Sequence, residues 1–264
     1  RSTGAIAAAG SDKLTAGFGP LMPGFRHLPW GDHAALDAAL DESVAAVLIE
    51  PVQGEGGIRP LPDVCLAGLR EACDRVGALL VLDEVQCGMG RTGRLFAHEW
   101  AGIRPDIMMV AKGIGGGFPL GAVLATEPAA APMTAGSHGS TYGGNPLACA
   151  VGARVMEIVS DPAFLAEVNR KAGLLRQRLE GLVAGHPGVF EAVRGSGLML
   201  GLKCRVPNTD VVAAGLEQQV LTVGAAENVL RILPPLTITD DEIAEGVARL
   251  DRAATALERQ EAGA

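Results

Sequence analysis

The sequence predicts an α/β protein: a mostly parallel sheet with flanking helices, followed by a smaller C-terminal α+β domain. Three observations carry this expectation. First, three strand-length apolar runs, VAAVLIE (44–50), ALLVLDE (78–84) and DIMMVAK (106–112), all end in charged residues. Continuous runs of Val, Leu, Ile and Met are what strands covered on both faces require. Second, helical patterns separate these runs, and strand–helix–strand alternation implies parallel pairing with right-handed crossovers. Third, the character changes near residue 160, where a long amphipathic helix leads into short strands.

In chain order, the first crossover is LPDVCLAGLREACDRVG (61–77). Val64, Leu66, Leu69, Ala72, Cys73 and Val76 make one helical stripe, with Pro62 and Asp63 at its start and Gly77 at its end. GRLFAHEWAGIRP (93–105) reads as a shorter helical turn and LGAVLAT (120–126) as a further strand. NPLACAVGARVMEIVS (145–160) opens as a helix at Pro146. The next helix runs from Pro162 and is closed by Gly185 and Pro187. Segments 189–206, 220–239 and 240–260 read as strand, strand and helix. Residues 1–159 are therefore expected to form a large domain, and 160–264 a linking helix with a small domain. There is no internal repeat or low-complexity tract.

Composition excludes several classes. A net charge of −8 over 264 residues provides no basic face for a phosphate backbone, so no nucleic-acid partner is expected. No basic run suits an anionic membrane surface. Residues 107–125 are long enough to span a bilayer, but five glycines, Pro119 and a central lysine argue against it. Five scattered cysteines without a C-x-x-C pattern read as reduced thiols of a cytoplasmic protein, with neither a disulfide framework nor a metal site. The N-terminus lacks the apolar core of a signal peptide, and it lacks a starting Met.

Parallel sheets bind ligands beyond the carboxyl ends of their strands, and Glu50, Asp83 and Lys112 fall at such ends. A strand that merely stops at a polar residue explains any one of them. Lys112 is harder to explain that way. The chain has 4 lysines against 18 arginines, and Lys112 is the sole charge in residues 107–125. Burial disfavours an ammonium, and a neutral amine adds to carbonyls to form Schiff bases. The glycines that follow let backbone approach a bulky ligand. The spacing leaves two readings open, a Schiff-base lysine or one snorkelling to solvent. With pyridoxal phosphate as the carbonyl partner, Asp83 would be the carboxylate facing the pyridine nitrogen. No G-x-x-x-x-G-K-[ST], H-E-x-x-H, G-x-S-x-G or S-x-x-K is present, and Phe118 breaks a G-x-G-x-x-G. Of five histidines, only His138, in SHGSTYGG, sits in a suggestive context.

EPVQGEGG (50–57), LDEVQCGMGRTG (82–93), AKGIGGGFPLGA (111–122) and GSHGSTYGGNPLACA (136–150) resemble the signature blocks of class III pyridoxal-phosphate-dependent aminotransferases. The match runs along essentially the whole chain and is strongest to the acetylornithine-specific subfamily. The resemblance implies pyridoxal 5′-phosphate as cofactor. It also implies transfer of the terminal amino group of N2-acetylornithine to 2-oxoglutarate, in arginine biosynthesis. Succinylornithine, ornithine and 4-aminobutyrate are the alternative donors. A homodimer with shared active sites is implied, with small amino-acid and 2-oxo-acid substrates.

Residue roles follow from the same resemblance. Lys112 is the cofactor-binding lysine and proton shuttle, and Asp83 the pyridinium partner. Glu84 lies in the cofactor block, Val85 packs on the ring, and Gln86 faces the phenolic oxygen. Thr141 reaches the phosphate in a neighbouring subunit, with Ser140 near substrate. Glu55 and Arg231 gate a second carboxylate, and Arg1 takes the α-carboxylate of acetylornithine. Without the family, Val85 reads as core, Ser140 and Thr141 as turn residues beside Gly143 and Gly144, Arg231 as a surface arginine, and Arg91 and Arg94 as solvent-facing. One departure stands out. The family's upstream segment, with a Gly-Thr phosphate cradle and an aromatic stacking residue, has no counterpart here. The chain resembles an N-terminally shortened member. Such a chain is expected to bind cofactor weakly, with uncovered apolar surface, or to be a non-catalytic fragment that only folds or dimerises.

Overall fold

The computed structural model describes residues 2–262. Residues through Val44 form one compact unit, and the chain from Ala45 forms a second. In the first, α1 (Ser2–Ala9), α2 (Asp12–Thr15) and α3 (His33–Ala39) are short helices joined by turns and irregular chain. Asp32 caps α3 by accepting the Ala35 amide at 2.9 Å.

The second unit opens with the expected alternation. β1 (Ala46–Ile49) leads through a small hairpin, β2 (Val52–Gln53) and β3 (Arg59–Pro60), into α4 (Asp63–Val76) and β4 (Leu79–Asp83). Leu66, Leu69, Ala72 and Cys73 of α4 are buried, and Gly77 ends the helix in the left-handed conformation. β5 (Ile107–Val110) follows a 3-10 turn at Ala97–Trp100. β1, β4 and β5 pair in parallel. Asp106 sets the entry to β5, accepting Arg70 at 2.6 Å and the Leu80 amide at 2.7 Å.

β6 (Ala122–Ala125) pairs antiparallel to β5, so the sheet β1-β4-β5-β6 is mixed rather than wholly parallel. The chain between β5 and β6, residues 111–121, is too short for a helical crossover and simply reverses. Leu48 on β1 and Val123 and Leu124 on β6 stand exposed on the two edge strands.

After α5 (Glu127–Ala130) come α6 (Pro146–Val159) and α7 (Pro162–Gly185). Each has Pro in its first turn behind a capping side chain: Asn145 accepts the Ala148 amide, and Asp161 the Ala163 amide. Each expected C-terminal strand segment then proves to be a pair. Segment 189–206 folds back as β7 (Phe190–Ser196) and β8 (Met199–Cys204). After α8 (Asn208–Glu217), a helix the sequence reading left unassigned, segment 220–239 folds back as β9 (Val223–Ala225) and β10 (Val229–Ile232). These form the antiparallel sheet β7-β8-β10-β9. α9 (Asp240–Ala262) closes the chain behind a capping box: Thr239 Oγ1 accepts the Glu242 amide while Glu242 Oε2 accepts the Thr239 amide. Leu175, Leu179 and Leu182 of α7, Ile243, Leu250 and Leu257 of α9, and Leu200, Leu202 and Leu230 of the sheet form one core.

Several contacts join this sheet to the loop after β4, among them the Leu198 amide donating to Arg91 O at 2.9 Å. Arg91 is largely buried, contrary to its solvent-facing reading. It donates to Leu198 O at 3.2 Å and Pro234 O at 2.5 Å, and burial pulls its guanidinium pKa down to about 10. Arg94 does face solvent, lying over the Trp100 ring at 4.5 Å. The β7–β8 turn meets the same loop through Gly197, at φ +57, where a Cβ would lie 2.5 Å from Thr92 Cα. Gly197→Ala is therefore expected to lower stability by about 1–3 kcal/mol in urea unfolding. Gly68→Ala, at an open helical position of α4, should be neutral or stabilise by about 0.5–1 kcal/mol.

Candidate active site

Parallel register fixes the first cluster. Ile49 lies opposite Leu82 and Asp83 opposite Met109, so Glu50, Asp83 and the residues after Val110 emerge at one edge of the sheet. Asp83 Oδ1 accepts the Val85 amide at 2.9 Å, which starts the turn beyond β4. Val85 is half-buried. Gln86 packs on Gly54, where a Cβ would lie 2.3 Å from Gln86 Oε1. That oxygen is buried with no partner among the described residues. Because a Gln amide carries both an acceptor oxygen and a donor nitrogen, the Gln86 end can present either polarity to a ligand.

Glu50 closes the cluster from β1. Its Oε2 accepts the Gly54 amide at 3.1 Å. Burial pushes its carboxyl pKa above the ordinary value; the Gly54 amide opposes this, Asp83 adds to it, and Lys112 subtracts from it. Glu50 thus shares one electrostatic environment with Asp83 and Lys112.

Lys112 begins a 3-10 turn (Lys112–Gly115) with φ +48, a left-handed conformation that costs a non-glycine residue roughly 1–3 kcal/mol. It is exposed rather than desolvated. The following glycines carry no side chains to cover it, so its amine is open to a ligand. Glu84 also differs from its sequence grouping with cofactor residues. It is fully buried, and its carboxylate accepts Ala97 N at 2.6 Å, His98 N at 2.9 Å and His98 Nδ1 at 2.8 Å. Its structural work is to hold the 3-10 turn at Ala97–Trp100.

The second cluster joins the β2–β3 hairpin to the antiparallel C-terminal sheet. Arg231 on β10 forms an ion pair with Glu55, which lies in the β2–β3 loop. The Arg231 side chain is 10% exposed and that of Glu55 75%, so the acid faces solvent while the base is enclosed. Arg231 Nε is buried without a partner among the described residues. Ser140, Thr141 and His138 lie on an exposed segment, where Ser140 Oγ accepts the Gly143 amide at 3.0 Å. Arg1 falls outside the described residues. Among the described residues no group of three or more His, Cys, Asp and Glu could hold a metal, and no helix is long and apolar enough to cross a membrane.

Sequence reasoning noted Glu50 at its strand end and gave it no role; its contact with Gly54 becomes visible only when the hairpin folds back. The residues present suit pyridoxal 5′-phosphate: an open amine, a carboxylate one strand away, and an unpartnered buried amide oxygen between them and the β2–β3 loop.

Comparison with known proteins agrees. The family model described as aminotransferase class-III matches residues 1–254. An acetylornithine aminotransferase of Rhodobacter capsulatus is 68% identical over 99% of this chain and 67% of its own length. The solved N-acetylornithine aminotransferase of Stenotrophomonas maltophilia superposes with a TM-score of 0.81 at 41% identity, over 89% of this chain and 63% of that one. An ornithine aminotransferase of Toxoplasma gondii, described with partial occupancy of PLP at its active site, gives a TM-score of 0.91 at 33% identity, over 97% and 62%. The chain thus spans about two thirds of the length of these relatives.

The Glu50 environment sets a pH dependence. A carboxyl whose folded pKa is raised favours folding below its unfolded pKa, and loses that contribution as pH rises through the folded value. Glu50→Gln keeps an acceptor for the Gly54 amide without the charge. Its urea midpoint should exceed that of the parent chain at pH 8, with the gap narrowing toward pH 5. A gap that widens on acidification would contradict the assignment.

Proposed function

Because the chain belongs to the aminotransferase class-III family, we propose that it moves the terminal amino group of N2-acetylornithine to 2-oxoglutarate, a step of arginine biosynthesis. The observation that carries the proposal is the pairing of Lys112 and Asp83 at adjacent parallel strand ends, with the Glu55–Arg231 ion pair available for a second carboxylate. The 68% identity to an acetylornithine aminotransferase favours this donor over ornithine, succinylornithine or 4-aminobutyrate.

Bound pyridoxal 5′-phosphate supplies an electron sink for the pair released when a substrate C–H bond breaks. The chain's own groups do the rest. When the cofactor is bound, Asp83 would hold its protonated ring nitrogen, Val85 would pack on a ring face, and Gln86 would face the ring oxygen. Lys112 Nζ would hold the cofactor through its carbonyl carbon and, as a free amine, would carry the proton between the substrate carbon and the cofactor carbon beside it. Glu84 acts behind them as a brace for the loop.

Specificity follows from charge. Acetylornithine brings one free carboxylate and glutamate two. With the first, Glu55 neutralises Arg231, which avoids an unpaired, nearly buried guanidinium. With the second, the exposed Glu55 side chain leaves and Arg231 takes the carboxylate as a fork. Arg1 is assigned to the α-carboxylate of acetylornithine, Ser140 to the substrate's surroundings, and Thr141 to the cofactor phosphate in a partner copy, since its exposed segment is suited to reach across a dimer. We assign residues 1–159 to the cofactor-binding domain and 160–264 to the linking helix and small domain. The scattered cysteines, without a C-x-x-C pattern, support a cytoplasmic location.

The test is a donor panel on the protein expressed from its complete reading frame and loaded with cofactor. Acetylornithine should have the highest kcat/KM, and Lys112→Ala should lower it by at least about 10²–10⁴-fold, the worth of a positioned proton-transfer group alone. Near-parental turnover by the alanine variant, or a clear preference for another amine, would overturn the proposal.

A further inference from the structure

The Glu55–Arg231 pair joins a loop of one sheet to a strand of the other, and an ion pair with one exposed partner is too weak to fix that geometry alone. Something else must hold the two backbones in register. The turn between β9 and β10 is built for this. Glu227 and Asn228 both adopt left-handed backbone, with φ +56 at each. Asn accepts that conformation readily, whereas Glu does so at a cost.

Asn228 anchors the turn to its own sheet. Its Nδ2 donates to Cys204 O and Val206 O at 2.8 Å each, and its Oδ1 accepts the Asn208 amide at 2.7 Å. Glu227 faces the other way. Oε1 accepts Arg59 of β3 at 2.7 Å and Oε2 accepts Arg194 of β7 at 2.6 Å. Its carbonyl accepts Lys203 Nζ. Arg59 in turn forks onto Gln53 Oε1 across the β2–β3 hairpin, at 3.0 and 2.7 Å. The backbones also touch. The Ala226 amide donates to Glu55 O at 3.0 Å, and a Cβ on Gly57 would lie 2.8 Å from Ala226 O. The loop carrying Glu55 is thus bound to the turn that opens the strand carrying Arg231.

We propose that Glu227 is a positioning residue for the Glu55–Arg231 pair: by bridging Arg59 and Arg194 it latches the β2–β3 loop to the β9–β10 turn. The latch leaves only the Glu55 side chain to swing. It raises the effective concentration of the Glu55 carboxylate at Arg231, as any tether does, and so sets how costly it is for a dicarboxylate to displace it. Arg194 first, then Arg59, hold the Glu227 carboxyl below its ordinary pKa against the opposing effect of burial, as a bridge between two guanidiniums should. The inference rests on the proposed reading of Arg231 as the receptor of glutamate's carboxylate.

Glu227→Gly is the informative variant, because it removes the carboxylate while relieving the left-handed strain. Arg194→Ala removes one leg and leaves the turn residue in place. Two readouts apply, both on the protein from its complete reading frame. Hydrogen exchange, followed without cofactor, should show lost protection of the Ala226 and Gly57–Ile58 amides in Glu227→Gly. Single-turnover kinetics of the loaded protein should show a raised KM for acetylornithine and a lowered KM for glutamate, with kcat of each half-reaction little changed. The ratio of the two kcat/KM values should shift about five-fold or more toward glutamate, and less in Arg194→Ala. Unchanged protection, or equal losses in both half-reactions, would overturn the latch. If the parent protein performs neither half-reaction, the function reading itself fails and takes the latch with it; if the parent performs both and Glu227→Gly leaves their ratio unchanged, the latch alone fails.

Discussion

Parallel pairing of β1, β4 and β5 is the constraint on which the site depends. Parallel strands in register point their carboxyl ends the same way, so the last residues of three separate segments arrive at one edge. That edge collects Glu50, Asp83 and Lys112 from positions 33 and 29 residues apart. Ladder hydrogen bonds and the Asp106 contacts with Arg70 and the Leu80 amide set the register. A slip by one residue would turn every side chain to the opposite face and take Asp83 out of the cluster.

The antiparallel sheet contributes through its attachments. Arg91 reaches from the loop after β4 to carbonyls at Leu198 and Pro234, Gly197 lies against Thr92, and Glu227 ties the β9–β10 turn to β3 and β7. The Arg91 and Glu227 attachments are polar and directional, and the Gly197 contact is a close backbone approach beside Leu198, a member of the apolar core formed by α7, α9 and β7–β10. The core makes the C-terminal half stable, and the polar contacts decide how it faces the strand ends. Arg231 and Glu55 belong to that second kind of contact, which is why their separation is a matter of backbone latching as well as of charge.

Much of this was legible in the sequence where local pattern carried the information. The apolar runs ended where the strands end, Pro146, Pro162 and Gly77 marked helix ends, and the isolation of Lys112 among glycines marked the turn that follows β5. The hairpins within 189–206 and 220–239 escaped notice because their turns, at Gly197 and at Glu227–Asn228, interrupt apolar runs without a Pro or an Asn-Gly signal. α8 escaped because its start, at Pro207, has no capping side chain. Glu84 looked like part of the cofactor block, yet its partners Ala97 and His98 lie 13 and 14 residues on. Arg91 and Glu227 were invisible because their partners lie as far as 143 and 168 residues away, and no local pattern encodes such distances. Lys112 is exposed because the glycines that follow it carry no side chains to cover the amine.

The central claim is that Lys112, at the end of β5, is the group that engages the carbonyl of pyridoxal 5′-phosphate. Borohydride reduction of the cofactor-loaded protein, followed by peptide mapping by mass spectrometry, tests it directly. The chain has four lysines, Lys13, Lys112, Lys171 and Lys203. The account predicts a stoichiometric pyridoxyl adduct on the peptide containing Lys112, with the other three unmodified. An adduct spread over several lysines, or located on any lysine other than Lys112, would contradict it.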